Sequence, residues 1–512
     1  MDRCGWRRFV SAKTQGNWPL VLTGCFALIW MVHRAQAQSI TFDEANTFLG
    51  FVAEPGWHSV WSPDSNNHVL NTILIRLLVQ LFGVSHLTMR APALFGGAVY
   101  ILAAYRLCTL LSRDLTLQWP LFVCLVYNPF VMDYLVAARG YGLAIGLLSL
   151  AAYFTVRTLL RLDQASEREM MRKVTAASVC AALSFCANFS YAYVNAALIA
   201  VLLAWACARI RKQGPIACAR LAFASLVPAC VVAIALTGPM LAQLPRSQLY
   251  WGAHSLKETS RYVHRASFTG LNRNLLPPIL AGFLEAVQPH LVRAVGRLLA
   301  LYLALLLLNR RLRDSQSWPR LRVAGSVTAV LSLALLAHWL QFKFLRIPLP
   351  LDRTSLFIVP LCMVIVAAVF SVIPATLLER VVRGFGIGVL FIVAAYFIGS
   401  LRDSYFQEWR GYGADVEAAF PAIVDVSRRV GAPEVAADWK YVPSLNFYRV
   451  RDAAKGLDEF RSFDRIPPGK PIYVLPENEF KDFIRTERLQ VVYRGAISDL
   501  VVAIRPGAGP LK

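Results

Sequence analysis

The sequence predicts an α-helical membrane protein with about eleven transmembrane helices and a small α/β domain at its C-terminal end. Of its 512 residues, 56% are hydrophobic and 16% are charged, whereas a soluble domain carries roughly 25% charged residues. Apolar runs recur that are about 20 residues long, the length that a helix needs to cross a bilayer. Basic residues are concentrated in the short segments between these runs, as in the cytoplasmic loops of membrane proteins.

Candidate spans follow one another through the first 400 residues. The first run, Trp18 to Ala37, is interpreted as an uncleaved anchor; a cleaved signal peptide is the alternative, because Ala35-Gln36-Ala37 resembles a cleavage site. The run is long for a signal peptide and many spans follow it, which favours the anchor. Ten more spans are expected to begin near Met89, Trp119, Gly140, Val174, Asn195, Leu221, Leu291, Val323, Thr354 and Phe385.

The basic residues test this order of spans. They occupy the N-terminal segment and every second loop, namely residues 3–13, 106–113, 157–173, 209–220, 310–322 and 380–383. Cytoplasmic loops are enriched in Lys and Arg, so the pattern predicts a multi-pass membrane protein with a cytoplasmic N-terminus. Because the number of spans is odd, the C-terminal domain is expected on the outer side of the membrane. No nucleic-acid partner is expected despite the net charge of +22, since no recognition motif stands out.

Two external segments are expected to have structure of their own. The first loop, residues 38–88, has a helical pattern from Asn67 to Phe82 that is short for a span and is expected to lie on the membrane interface. The tail alternates strand-length apolar stretches with amphipathic ones, which predicts an α/β domain. We therefore divide the chain into a transmembrane module, residues 1–401, and an extracytoplasmic domain, residues 402–512. The predicted strands and helices of the tail are Pro471 to Leu475, Leu489 to Tyr493, Leu500 to Ile504, Val416 to Val430 and Glu479 to Arg485.

Two clusters of ionisable residues are expected at the external surface near the first spans. Asp43 and Glu44 lie about two turns beyond the first span; they could equally mark a solvated helix start, with Thr41 or Asp43 as its N-cap. Asp133 and Arg139 fall in the second external loop, where ionisable groups usually pair or line a cavity. The alternative for Arg139 is an arginine that snorkels beside an aromatic belt.

A third cluster, Lys343, Arg346 and Arg353, brackets a proline-rich external loop. Basic residues are disfavoured in short external loops, so three together indicate an anionic partner, either phospholipid headgroups or a bound phosphate. Carboxylates and cations on one membrane surface fit transfer from a lipid-linked phosphate to an acceptor hydroxyl or amine. A carboxylate would take the proton, and the cations would offset charge on the departing phosphate.

Four passages, in the same order, resemble the GT-C membrane glycosyltransferases, in particular the branch of protein O-mannosyltransferases and lipid A aminoarabinose transferases (glycosyltransferase family 39-like). They are FDEAN at residues 42–46, residues 66–107 with an LFG turn and an Arg-x-Pro sequence, DYLVAARGYG with its ARGY core from residue 133, and DRTSLFIVPL at residues 352–361. The first three cover about the first 150 residues. The middle of the chain matches only in hydropathy, and the tail only in placement.

The resemblance implies inverting transfer of a sugar from a polyprenyl-phosphate donor to a lipid, glycan or protein acceptor on the periplasmic side of a bacterial inner membrane, with the C-terminal domain in the periplasm. By position, Asp43 would be the general base, and Glu44 would orient Asp43 or the acceptor. The residues that would contact the donor phosphate or lie near it are Arg139, Arg353, Lys343 and Arg346.

The chain departs from the family pattern just before the loop helix. Where many members have Lys or Asp followed by two prolines, this chain has Asn66-Asn67-His68-Val69. His68 would therefore take the place of the substrate contact that other members make at this position. The equal alternative is that His68 is a structural histidine in the core or at the membrane interface. The further substrate contacts are assigned to Asp133, Tyr141, His68 and Asn67.

No cofactor is expected, and two other functions stay open. Glu54, Asp64 and His68 would combine with Asp43 in a divalent-metal site only if the loop folds back. A polysaccharide polymerase or ligase shares the proposed chemistry. A transporter or flippase of lipid-linked sugars would usually show internal repeats, and none is evident between the two halves of this sequence.

Overall fold

The predicted membrane fold is present in the computed structural model, which describes residues 17–309, 317–407 and 411–506. Within these ranges, ten helices are long and apolar enough to cross a membrane, and the number of spans is eleven when a bent helix pair is counted as one. A four-stranded sheet lies near the C-terminal end. The predicted fold class is therefore confirmed. The basic residues at positions 3–13 and 310–313 lie outside the described residues.

The elements are numbered here in chain order over the described residues. The span-forming helices are α1 (Trp18–Ala37), α4 (His86–Leu111), α5 (Leu115–Val126) with α6 (Pro129–Val136), α7 (Tyr141–Leu160), α8 (Glu167–Ala187), α9 (Ala192–Ile210), α10 (Pro215–Leu241), α12 (Pro278–Leu308), α13 (Trp318–Leu345), α14 (Ile358–Phe370) and α15 (Leu377–Gly399). The other α-helices are α2 (Phe42–Thr47), α3 (Val69–Phe82), α11 (Leu256–Ser267), α16 (Val416–Val430), α17 (Val442–Arg451) and α18 (Lys481–Thr486). The strands are β1 (Ala436–Ala437), β2 (Ile472–Pro476), β3 (Gln490–Arg494) and β4 (Leu500–Ile504).

The third span is broken in its middle. Helices α5 and α6 meet at 55°, next to Asn128-Pro129, because the residue before a proline is disfavoured in the helical conformation. The side chain of Asn128 accepts hydrogen bonds from two N–H groups of the first turn of α6. The prediction that residues 129–136 belong to an external loop is therefore wrong. These eight residues form a helix, and all of them are buried. The break carries Asp133 into the protein interior, where it is 2% exposed.

The connections between the spans collect at two ends of the helix bundle. At one end the basic loops meet, and Arg322 pairs there with Asp163 at 3.1 Å. At the other end the first loop meets the tail, and the hydroxyl of Ser39 donates to the carbonyl oxygen of Ala414 at 2.6 Å. The segment before α11 reaches the same end, because Ala253 forms a β-bridge with Leu349. This separation is the arrangement that the alternating basic loops predict.

The C-terminal α/β unit shares a hydrophobic core with the first loop. Its sheet has the order β1-β2-β4-β3; β1 is parallel to β2, and the other pairs are antiparallel. The ring of Phe447 packs edge-on against Phe48 at 5.2 Å, and the hydroxyl of Tyr448 accepts a hydrogen bond from the N–H of Ile40 at 2.8 Å. The tail therefore closes over the first loop. The predicted strands and helices of the tail, and the loop helix α3, are confirmed within a few residues.

Spans α4 and α7 approach so closely that glycine is required at their contact. A Cβ added to Gly96 would lie 2.5 Å from the backbone of Gly142, and one added to Gly146 would lie 2.2 Å from the carbonyl oxygen of Gly96. Small residues allow helix backbones to approach in this way inside membranes. The contact fixes the start of α7, and with it Tyr141, against α4.

We expect Gly96→Val to lower the thermal stability of the purified protein, because the new side chain forces α4 and α7 apart at a cost of about 1–3 kcal/mol. Gly325→Val in α13 is the matched control, since nothing lies within 4 Å of a Cβ at that position. Thermal unfolding in detergent measures both variants. Equal unfolding temperatures would show that the close approach of α4 and α7 contributes nothing to stability.

Candidate active site

Helix α2 separates the two neighbouring carboxylates of the first loop. The hydroxyl of Thr41 accepts a hydrogen bond from the N–H of Glu44 at 3.3 Å, and the carboxylate of Glu44 accepts one from the N–H of Thr41 at 2.9 Å. This reciprocal capping starts the helix. Successive residues of a helix point roughly 100° apart. Glu44 therefore turns into the protein, whereas the side chain of Asp43 stays 15% exposed.

Glu44 anchors the first loop through a fully buried carboxylate. Arg90 of α4 donates to both of its oxygens at 2.9 and 2.8 Å, and the N–H of Ala138 donates at 2.6 Å. Arg90 also donates to three carbonyl oxygens at the end of the first span. Burial raises the pKa of Glu44, but Arg90 and the backbone N–H groups outweigh this and lower the pKa to about 2. Of the two roles expected for Glu44, this burial is compatible with orientation of Asp43 and leaves no exposed carboxylate oxygen for an acceptor.

Asp43 forms a second ion pair that borders the site. Nη1 of Arg353 donates to its carboxylate at 2.6 Å, and the two side chains are 15% and 18% exposed. Nη2 of Arg353 lies 3.5 Å from Oδ1 of Asn66. The proposed base and one proposed phosphate ligand are therefore in direct contact, although they are 310 positions apart in the chain.

Arg139 lies beside this pair and is almost fully buried. Its Nη1 donates to the carbonyl oxygen of Asp43 and to the hydroxyl of Thr47, both at 3.2 Å, and its Nη2 donates to Oδ1 of Asn66 at 3.0 Å. Arg139 thus ties α2 to the segment before α3. The more exposed Arg353 is better placed to meet a ligand.

Asp133 and Asn67 were expected to contact substrate, but the structure gives both of them partners within the protein. Asp133 pairs with Arg34 at 2.5 Å and accepts hydrogen bonds from the N–H groups of Phe406 and Gln407, so it fastens the tail to α6. The amide of Asn67 is 0% exposed and donates to carbonyl oxygens of its own loop. Both side chains support the site instead of lining it.

Lys343 and Arg346 are exposed at the end of α13. Neither belongs to the described lining of the cavity beside Arg353. Their long side chains carry charge on the surface near this cavity, and the structure does not bring them into contact with Asp43 or Arg139.

A cavity of about 320 Å³ opens beside the Asp43–Arg353 pair; most of its wall is apolar, and we call it the polar cavity because Asn66, His68 and Arg353 contribute polar groups to it. Asn66, His68, Tyr141 and Arg353 line it together with residues of α9, α13 and the segment before α11. Its size lies at the lower end of the range of about 300–1,000 Å³ for small-molecule sites.

The ring of His68 lies in the wall of this polar cavity, edge-on to Tyr141 at 4.9 Å. A Cβ added to Gly140 would lie 2.7 Å from the Cβ of His68, so glycine is needed for the backbone to pass this side chain. Burial, together with the positive charges of Arg139 and Arg353, holds the pKa of His68 well below its ordinary value. His68 is therefore a neutral ring near pH 7.

A second cavity, of about 430 Å³, lies between α11 and the spans α12, α14 and α15. Most of its lining is apolar and includes Val292, Leu299, Val366 and Leu390. Apolar volume of this kind suits a hydrocarbon chain, since burial of apolar surface is favourable.

The arrangement of spans, first loop and tail matches a bacterial membrane protein of known structure. ArnT from Cupriavidus metallidurans, in the apo state and bound to undecaprenyl phosphate, gives a TM-score of 0.52 in both cases. The chain has the GT-C fold. The identity is 11% and 12% over 97% of this chain and 99% and 100% of those chains, so the likeness shows the fold alone. No family model matches the chain, and no curated protein matches it in sequence.

Two residues outside the predicted site hold it together. Asn66 joins Arg139 to Arg353 through one amide oxygen. Asn66 lies in the segment where the chain departs from the family pattern, and this departure could have identified it from the sequence. Arg90 pairs with Glu44. Arg90 lies inside an apolar run of the sequence, where a charged residue needs a buried partner. This pattern could have identified Arg90 from the sequence.

The metal site considered from the sequence is not assembled in the structure. Among the described residues, no group of three or more His, Cys, Asp or Glu side chains is placed to hold a metal ion. Glu54 is exposed, and the carboxylate of Asp64 accepts a hydrogen bond from the N–H of Asn66 at 2.7 Å.

We expect Glu44→Ala to destabilise the protein strongly, because Arg90 would stay buried without its counter-charge, at a cost of about 3–5 kcal/mol. Glu285→Ala is the control, since its partner Arg273 is 78% exposed and exposed pairs contribute roughly 0–1 kcal/mol. Thermal unfolding compares the two variants.

The pH dependence gives a further check on the same variant. Because the folded-state pKa of Glu44 lies below its ordinary value of 4.5, its stabilising contribution is complete above that value and is lost as the pH falls toward 2. The stability difference between the unaltered chain and Glu44→Ala should therefore narrow from about pH 5 to about pH 3. A difference that widens over this interval would contradict the ion-pair assignment.

Proposed function

We propose that the chain is an inverting glycosyltransferase that moves a sugar from a polyprenyl phosphate to an acceptor outside the cytoplasm. The observation that carries this proposal is the carboxylate of Asp43, held 2.6 Å from Arg353 beside a polar cavity. The fold supports it as well. One of the ArnT structures with this fold is bound to undecaprenyl phosphate, which is the class of lipid that the proposed donor would release.

Asp43 is the proposed general base. The acceptor hydroxyl or amine would give its proton to this carboxylate while its oxygen or nitrogen forms a bond to the anomeric carbon of the donor. The bond between that carbon and the phosphate oxygen would break on the opposite face, so the configuration inverts. Polyprenyl phosphate would leave with the electron pair.

Arg353 is the proposed phosphate ligand, and Arg139 is a positioning residue. The planar guanidinium group matches the geometry of phosphate oxygens. In the structure Arg353 is bound to Asp43, so an arriving phosphate would compete with Asp43 for the same guanidinium. A carboxylate that loses part of an ion pair becomes a stronger base. Donor binding would therefore prepare Asp43 for the acceptor.

The distribution of charge supports a periplasmic site. The basic loops lie at the end of the bundle opposite to the first loop and the tail, and loops rich in Lys and Arg usually face the cytoplasm. The first loop with Asp43, the polar cavity and the C-terminal domain would then face the periplasm.

We expect Asp43→Asn to lower the rate of sugar transfer about 10²–10⁴-fold, the usual contribution of a general base. The assay follows labelled sugar from a polyprenyl-phosphate donor into acceptors of the cell envelope. Glu54→Gln, which neutralises an exposed carboxylate of the same loop, should keep the full rate. Transfer by Asp43→Asn at the unaltered rate would refute the base assignment and favour the transporter interpretation.

We further propose that transfer needs no divalent metal, because Arg353, with Arg139 behind it, supplies positive charge to the departing phosphate. Treatment with a chelator should leave the rate of sugar transfer unchanged. Loss of the rate, followed by its recovery when a divalent cation is returned, would overturn this part of the proposal.

A further inference from the structure

Three buried side chains in the wall of the polar cavity have atoms that make no hydrogen bond to any described residue. They are the amide of Asn188, the ring of His68 and the ring of His338, which are 1%, 2% and 8% exposed. The atoms concerned are Nδ2 of Asn188, both ring nitrogens of His68 and Nε2 of His338. A buried polar group without a partner costs about 1–3 kcal/mol. Three of them around one cavity indicate a site built for a polar ligand.

The three side chains come from different parts of the fold, and each is held in place. Oδ1 of Asn188 accepts hydrogen bonds from the N–H and the hydroxyl of Ser190, which leaves its Nδ2 available as a donor. The ring of His338 packs edge-on against Tyr193 at 4.7 Å, as His68 packs against Tyr141. The hydrogen-bonding atoms therefore have fixed positions before any ligand arrives.

The charge of the wall restricts the ligand further. No aspartate or glutamate is among the described residues that line the polar cavity, and Arg353 is the cation there. The carboxylate that borders the cavity, Asp43, is already paired with Arg353. A protonated amine would therefore lose its water without an uncommitted carboxylate as its counter-charge, which is strongly unfavourable in a buried site. A hydroxyl group, in contrast, both donates and accepts, as do the two nitrogens of a neutral imidazole.

We propose that Asn188, His68 and His338 form the sugar subsite of the donor, and that this subsite takes a sugar with neutral hydroxyl groups and no charged amine. The inference rests on the proposed function, because Arg353 would hold the phosphate to which this sugar is attached. Asn188 and His338 are new specificity-determining residues. His68 is given a defined partner, a sugar hydroxyl.

The first test separates sugar recognition from phosphate recognition. Binding of two probes to the full-length protein in lipid nanodiscs is compared: polyprenyl phosphate alone and a polyprenyl-phosphate hexose. Asn188→Ala and His338→Phe should weaken binding of the hexose-linked probe about 3–10-fold each, the size expected for one hydrogen bond. Binding of polyprenyl phosphate alone should stay unchanged. Equal weakening of both probes, or of neither, would overturn the sugar subsite.

Matched controls exist for both substitutions. Asn195 in α9 is also buried with an unpartnered amide oxygen, but it lines a different, apolar cavity. His290 is exposed on α12 and lines neither the polar cavity nor the cavity beside α11. Asn195→Ala and His290→Phe should leave the affinity for the hexose-linked probe as it is in the unaltered chain. A loss as large as that of the site variants would show that the effect is not specific to the subsite.

The second test concerns the charge of the sugar. The unaltered chain should transfer a neutral hexose at least 10-fold faster than the matched amino-hexose, and His338→Glu should reduce this ratio by supplying a counter-charge. Faster transfer of the amino-hexose by the unaltered chain would refute the inference and leave the glycosyltransferase proposal standing. Transfer of neither sugar to envelope acceptors would refute the proposed function itself.

Discussion

The buried pair of Glu44 and Arg90 is the interaction on which the rest of the site depends. Arg90 binds the carbonyl oxygens that end the first span, and Glu44 starts α2 and receives the N–H of Ala138 from the ARGY segment. A buried charge that loses its partner costs several kcal/mol, so these three segments are held as one unit. Asp43 directly precedes Glu44 in the chain, so its position is set by this buried neighbour.

The spans, the loop helix and the strands of the tail could be predicted because each depends on local composition over its own length. The helix at residues 129–136 could not be predicted in this way. It has only eight residues and begins with Pro129, so its hydropathy pattern is too short to be distinguished from that of a loop. The contacts of Asp43 with Arg353 and of Glu44 with Arg90 join distant positions, which one sequence does not encode as a pattern. The family resemblance placed Asp43 and Arg353 in one site and gave Asp43 and Glu44 different roles, but it did not show that Glu44 is fully buried against Arg90.

Two adjacent carboxylates therefore have different environments within one short helix. Glu44 is surrounded by fixed donors and stays ionised over the ordinary range of pH, so its charge is constant. The carboxylate of Asp43 is partly exposed and pairs with Arg353, which lines the polar cavity. The first loop is therefore held by Glu44, whereas the ion pair of Asp43 borders the cavity.

The shared core of the first loop and the tail has a consequence for biosynthesis. Ile40 and Tyr448 are 408 positions apart, so almost the whole chain is synthesised before the surface that supports Asp43 receives its cover. A chain released early by the ribosome would already contain every proposed catalytic residue, yet its first loop would remain open to water. The support of Asp43 by the tail is therefore incomplete until the segment around Tyr448 has been synthesised and has packed against the first loop.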